Sequence, residues 1–392
     1  MRAVVFLGVF VVPIASLSAQ VSEEPPPSIG SAETPVVIRA EQYPSLQAAV
    51  DAVPEAGGLV TIPPGHFKLE QPLRITTGDT LIRGSGPSTH LENVNRDGRP
   101  AVVIAHDDHD GTKTPSGRQL WRVQLSDFRV TGNEASGSGI VAHQINEIFV
   151  QGVTVSYHGG HGIELDECYE DPRISNSLIT YNAADGVHLR GAHDIVVSAN
   201  QFEENRTGLR CLDSFNLTMT GNNLDDHLGD GVIIENTYGS VLSGNMIEEC
   251  QGWGIILDRD CYGITISANV IAHEFTGGID LRDAHGCAVT GNTFTIVKNV
   301  GLRIAEGSGR IAVTGNSFGD SYIGGVNKRD RVSTTREAAP DAAGGLVLET
   351  DEAVVVVGNV FSGLDDVAIT GRAVVPEAQL RTNTEVSTES SP

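Results

Sequence analysis

The chain has 392 residues, with 26 basic against 50 acidic side chains and a net charge of −24. That charge repels phosphate backbones and argues against a nucleic-acid partner. Aromatic residues make up only 5% while glycines number 45, a balance that disfavours a compact enzyme with large aromatic cores and favours many tight turns between short strands.

At the N-terminus, Arg2, the apolar run over residues 3–12, Pro13 and the small residues Ser16, Ser18 and Ala19 predict a signal peptide over residues 1–19. An exported protein is expected, periplasmic or extracellular. The run is too short to span a bilayer and no later stretch is long enough, so no membrane span is expected. Residues 20–42, rich in Pro, Ser and Glu, read as a flexible linker. Leu46, Ala49, Val50 and Val53 then predict a short amphipathic helix, and "GGLVTIPPG" a strand and turn. The loop "HDDHDGTKTPSGR", residues 106–118, gathers His106, Asp107, Asp108, His109 and Asp110, side chains able to ligate a metal; acidic loops more often stay solvated.

From Gly139 onward the chain repeats. Gly139, Gly162, Gly186, Gly208, Gly231, Gly254, Gly278 and Gly301 follow one another at 23, 24, 22, 23, 23, 24 and 23 residues, and Gly345 opens a further unit. Each glycine starts a strand of the form Gly-apolar-x-apolar. A second strand runs through an asparagine to end as Asn-x-(Phe/Ile/Leu), the asparagines being Asn176, Asn200, Asn222, Asn245, Asn269, Asn292, Asn316 and Asn359. Two short strands per unit leave no room for a long helix. A unit of this size cannot bury its apolar face alone, so units must stack at about 4.8 Å into a solenoid. Ten to twelve coils are expected, with an asparagine column at one bend of every coil. A leucine-rich repeat shares the period but needs several leucines and a helical return, and a propeller blade is nearly twice as long. Residues 322–342 read as an insertion and residues 376–392 as a disordered tail. Cys168, Cys211, Cys250, Cys261 and Cys287 fit no metal spacing; a disulfide is allowed, with no pair singled out.

These repeats resemble those of the pectate-lyase-like superfamily, and residues 44–67, "PSLQAAVDAVPEAGGLVTIPPGHF", resemble the N-terminal cap of such proteins. The resemblance spans residues 43–375. It implies an all-β, single-stranded right-handed parallel β-helix with a short N-terminal capping helix. It also implies that the sheet opening with glycine faces the substrate.

Parity gives the outward residues of that sheet. One column is Glu164, His188, Arg210, Ile233, Ile256, Asp280, Arg303; the other is Asp166, Arg190, Leu212, Glu235, Asp258, Arg282, Ala305. Elimination or epimerisation at a uronate needs a group that neutralises the carboxylate, a base for the α-proton and a proton donor. Arg190 or Arg210, His188 and His161 supply these types, with Glu164 and Asp166 beside them. The bland alternative is a solvated ladder pairing Glu164 with His188 and Asp166 with Arg190. Glu235, Asp258 and Asp280 form a second patch that can hold a cation such as Ca²⁺, or be neutralised by Arg282. Tyr157, Tyr181 and Trp253, just ahead of these strands, can stack on sugars or pack on neighbouring turns.

"GGHGI", residues 159–163, resembles the Gly-His-Gly of polygalacturonase-like hydrolases, but "LDDH", residues 224–227, follows it rather than preceding it. Mannuronan epimerases carry Asp-Pro-His-Asp, where this chain has only Asp171-Pro172-Arg173. The calcium-binding aspartate cluster and arginine base of pectate lyases have no assigned counterpart. The sequence therefore predicts an exported lyase or C5-epimerase of uronate-containing glycans. Two alternatives remain open: a non-catalytic β-helix that binds glycan or protein at a cell surface, and a glycoside hydrolase with paired carboxylates.

Overall fold

The computed structural model describes residues 36–273, 276–297, 299–319, 344–364, 367–371 and 382–386. The predicted signal peptide, the 322–342 insertion and most of the tail lie outside them. The compact unit that starts at Val36 is a right-handed parallel β-solenoid of about 13 turns. Three parallel sheets of 12, 13 and 13 strands run its length. In one coil the chain passes through Ile163–Asp166 in the first sheet, Arg173–Ser175 in the second and Leu178–Thr180 in the third. It then enters the next rung of the first sheet at Asp185–Arg190. Each strand pairs with one a coil away, so most neighbours in space are 22 to 24 residues apart in sequence, as in Ile163 against Val187, while pairs that span a longer loop lie further apart, as in Ile82 against Leu125 and Leu302 against Leu346.

The alternation read from the glycine strands sets the core. Ile163, Leu165, Val187, Leu189, Val232, Ile234, Ile255, Leu257, Ile279, Leu281, Leu302 and Ile304 are all fully buried. Each such side chain contributes on the order of 1.5–3 kcal/mol by leaving water.

Several expectations change. A coil holds three strands, not two, because the run read as one strand bends at the asparagine. There the preceding residue takes a left-handed backbone, as at Ala199, Gly221, Gly244 and Ala268. The amides then form a buried ladder: Asn200 Nδ2 donates to Asn222 Oδ1 at 3.0 Å, Asn222 to Asn245 at 2.9 Å, and so on to Asn383. Asn176 is not a rung. It fills the left-handed place itself (φ 51°), which asparagine tolerates, and Ser177 N bonds Asn200 Oδ1 in its stead. The solenoid also reaches past its predicted ends. Val37–Arg39, inside the stretch read as linker, pairs with Gly58–Thr61. Thr384–Val386, in the stretch read as tail, pairs with Val360–Ser362. Backbone donors at a sheet edge gain partners that a solvated linker would lack. A six-residue helix, Leu46–Asp51, is N-capped by Ser45 and buries Ala49 and Val50. All five cysteines are free thiols and buried. Among the described residues no helix is long and apolar enough to cross a membrane.

Candidate functional site

The register of the first sheet stacks Glu164, His188, Arg210, Ile233, Ile256, Asp280 and Arg303 as direct neighbours. The adjoining file runs His143, Asp166, Arg190, Leu212, Glu235, Asp258. The six side chains singled out as catalytic candidates thus lie on consecutive rungs, with His161 on the turn just before Gly162.

Asp185, which the sequence reading passed over, ties this patch together. It stands one position before Gly186 and is buried at 6% exposure. Its Oδ2 lies 2.8 Å from His188 Nδ1, 3.4 Å from His161 Nδ1 and 3.7 Å from Arg210 Nε. The two imidazoles are tilted at 34° with centroids 4.4 Å apart. His161 Nδ1 accepts the Asp185 backbone N–H at 3.1 Å. A neutral ring nitrogen carries either a proton or a lone pair, so accepting at Nδ1 puts the His161 proton on Nε2. His188 donates Nδ1–H to Asp185 Oδ2 and keeps a lone pair on Nε2. The hydrogen bonding therefore assigns the two rings opposite tautomers. The 3.4 Å approach of His161 Nδ1 to Oδ2 becomes a hydrogen bond when that nitrogen carries a proton. Burial opposes ionisation of Asp185, but the two imidazoles outweigh it and hold its carboxyl well below the usual carboxylate range.

The expected Glu164–His188 pair is not made, because His188 turns to Asp185. Glu164 instead accepts from Ser138 Oγ at 3.0 Å. Asp166 does pair with Arg190, and it also meets His143 Nδ1 at 3.2 Å. Arg210 reaches Glu235 at 2.6 Å while touching Asp185, so it links two rungs. The 106–118 loop lies on the rim of this sheet, with His109 stacked on His143 at 4.7 Å. Its acidic groups serve the loop itself. Asp108 meets Arg118 at 2.5 Å, and Asp110 accepts from Thr112 and Lys113, which lowers its carboxyl to about 2.

The second patch does not converge on a cation. Glu235 is taken by Arg210, and Asp258 lies 3.7 Å from Arg282. Asp280, 1% exposed, sits between Arg282 at 2.7 Å and Arg303 at 3.2 Å. Guanidinium groups thus face the oxygens that Ca²⁺ would need. Between the two patches, outward-facing Ile233 and Ile256 form an apolar wall with Trp253, itself 9% exposed. Trp253 covers Gly277, so it packs on the neighbouring coil and offers no face to a sugar. Metal-ligand atoms do come together at His161, Asp185 and His188, all within 4.8 Å of one another, but the Arg210 guanidinium competes there with any cation. They also converge at Glu248, Glu249 and His273, and at Asp225, Asp226 and Glu249, at the end of the third-sheet strands. There burial and then neighbouring carboxylates raise Asp225 to about 6.

A family model for right-handed β-helix regions matches residues 102–224 and 170–318, more than half of the chain. No curated protein matches the sequence. Solved structures with similar folds include the A-module of the mannuronan C-5 epimerase AlgE6 of Azotobacter vinelandii, at 14% identity and TM-score 0.58, over 91% of this chain and 100% of that one. A surface adhesin of Streptococcus pneumoniae is similar at 12% identity and TM-score 0.66, over 86% and 92%. Tailspike protein 3 of bacteriophage CBA120 is similar at 11% identity and TM-score 0.61, over 91% of this chain and 62% of the tailspike. At such identities the likeness is one of fold.

Proposed function

The chain belongs to the right-handed β-helix family, and from the polar file built on that fold we propose that it acts on a uronate-containing polysaccharide as a lyase or C5-epimerase. His188 is the base: its Nε2 lone pair takes the C5 proton, and ionised Asp185 steadies the imidazolium that forms. Arg210 and Arg190 offset the substrate carboxylate, so charge building up at C5 spreads onto a neutralised group. His161 is the donor in its imidazolium form, with Nδ1–H held by Asp185 Oδ2 and the proton that is transferred on Nε2. In elimination the C5–H and C4–O bonds break, a C4=C5 double bond forms, and His161 protonates the leaving oxygen. In epimerisation a proton returns to C5 from the other face of the ring. Two imidazoles side by side address one face, which favours elimination. The observation that carries this reading is the pair of imidazoles in opposite tautomers on one buried carboxylate. Export, on the signal-like N-terminus, and a capping role for the Leu46–Asp51 helix belong to the same proposal.

The test is incubation with polymannuronate, polyguluronate, polygalacturonate and glucuronate polymers in D2O. A lyase yields ultraviolet-absorbing unsaturated uronates, whereas an epimerase incorporates deuterium at C5 without cleavage. Absence of both signals with every polymer removes the enzyme reading. The second reading, a non-catalytic glycan-binding surface, is favoured by the arginine pairing of Glu235, Asp258 and Asp280, and predicts binding without turnover. A hydrolase would instead release saturated reducing ends. It draws less support, since Asp166 is held by Arg190 and Asp185 by both histidines.

A further inference from the structure

The bend from the third sheet back to the first places one left-handed residue in each coil. Tyr157 (φ 62°), Tyr181 (φ 58°) and Glu204 (φ 46°) hold this place in three successive coils. The two tyrosine rings stand parallel, 5.0 Å apart, and Tyr157 is 55% exposed. They line an open cavity of about 460 Å³, together with Arg96, Glu134, His158 and Glu204. Among the described residues the Arg96, Glu134 and Glu204 side chains have no ion-pair partner. Buried His158 also lines the cavity. The same turns lead into the reaction centre: Tyr157 is four residues before His161, and Tyr181 four before Asp185. Four residues of chain reach no further than about 14 Å.

We propose that this cavity is a subsite for a neutral pyranose unit of the polysaccharide, beside the uronate that reacts. This rests on the reading of the protein as glycan-active. The volume falls within the usual range of roughly 300–1,000 Å³ for small-ligand sites. The free face of a tyrosine takes the apolar C–H face of a sugar ring, and the edge hydroxyls meet groups that have no other partner. Arg96 donates to a hydroxyl oxygen; Glu134 and Glu204 accept from hydroxyls. Two carboxylates against one guanidinium leave the wall net negative. A uronate is repelled there, and a ring without charge is not.

The test is calorimetric titration of the full chain with manno-, gluco- and galacto-tetrasaccharides, against an oligouronate control. At least one neutral tetrasaccharide should bind, and Tyr157→Ala/Tyr181→Ala should weaken it roughly tenfold or more. Tyr157→Phe/Tyr181→Phe should keep most of the affinity, which separates lost stacking from lost folding. The subsite is overturned if no neutral tetrasaccharide binds, or if the alanine pair binds as well as the parent chain. Either result leaves the uronate chemistry standing if unsaturated product still forms. Conversely, tyrosine-dependent binding with no turnover of any uronate polymer keeps the subsite and removes the lyase or epimerase reading.

Discussion

Asp185 has two imidazoles and a guanidinium around one oxygen and is buried. Its role follows from what each neighbour would do without it: His188 would be free to carry its proton on either nitrogen, and Arg210 would keep only Glu235. Asp185→Asn should therefore lower the rate of unsaturated-product formation by roughly 10²- to 10⁴-fold, the usual worth of an acid–base group. Its amide can present N–H to His188 and turn that ring to the tautomer with no lone pair on Nε2. A ¹⁵N NMR spectrum of the histidines reads this directly. Loss of rate with unchanged His188 nitrogen shifts would show that Asp185 acts in some other way. The sequence made five of these six side chains legible through parity, because Glu164, Asp166, His188, Arg190 and Arg210 sit within strands where alternation holds. His161 was legible as a turn residue. Asp185 was not, because it precedes the glycine from which the columns were counted. The signal was nevertheless present: Ser138, His161, Asp185, Thr207 and Asp230 all stand one place before a repeat glycine, and all are polar.

At the scale of the bends, two ladders behave differently. Along the second-to-third bend the asparagines repeat, and each amide both donates and accepts. The third-to-first bend has a mixed file of His158, Asn182, Asn205 and His227. His227 accepts the Asn205 N–H on Nδ1, and its Nε2 is buried without a partner. Burial lowers both His158 and His227 to about 4. An unfolded histidine titrates near ~6.5, so between about 6.5 and 4 the unfolded chain binds protons that the folded chain refuses. Stability is thus lost as pH falls through that window, by up to roughly 3 kcal/mol for each histidine. Asp225 works in the opposite direction. Its folded value of about 6 lies above that of a free aspartate, so the folded chain takes a proton first and gains stability as pH falls from about 6 toward about 4. The two buried histidines outweigh this one partly exposed carboxyl. Urea midpoints should therefore drop from pH 7.5 to pH 5, and His227→Asn should flatten the change, because an asparagine continues the ladder from Asn205 without titrating. An unchanged pH slope in that variant would remove His227 from the account. This bend escaped the sequence reading because its rungs differ in residue type. The third strand escaped because a left-handed residue followed by asparagine looks like one uninterrupted strand of period two.

Over the whole chain, the proposed function sets a net charge of −24 against a polyanionic substrate. The attraction comes from Arg190 and Arg210 at contact distance, and the repulsion from charge spread along the whole length. Salt separates the two by range. The screening length is about 30 Å at 0.01 M ionic strength and about 8 Å at 0.15 M. Moving between these values removes most of the long-range repulsion and little of an interaction across a few ångströms. KM for a uronate polymer should therefore fall several-fold over that interval, with kcat nearly constant, since the proton-transfer groups lie inside the screening length throughout. Toward about 1 M, where the length is near 3 Å, the arginine contacts are screened as well and KM should rise again. The expected profile of KM against salt is a minimum, read from initial rates on one polymer at fixed pH. A steady rise of KM from the lowest salt would mean that the arginine file dominates at every distance, leaving the acidity of the chain without influence on how substrate approaches.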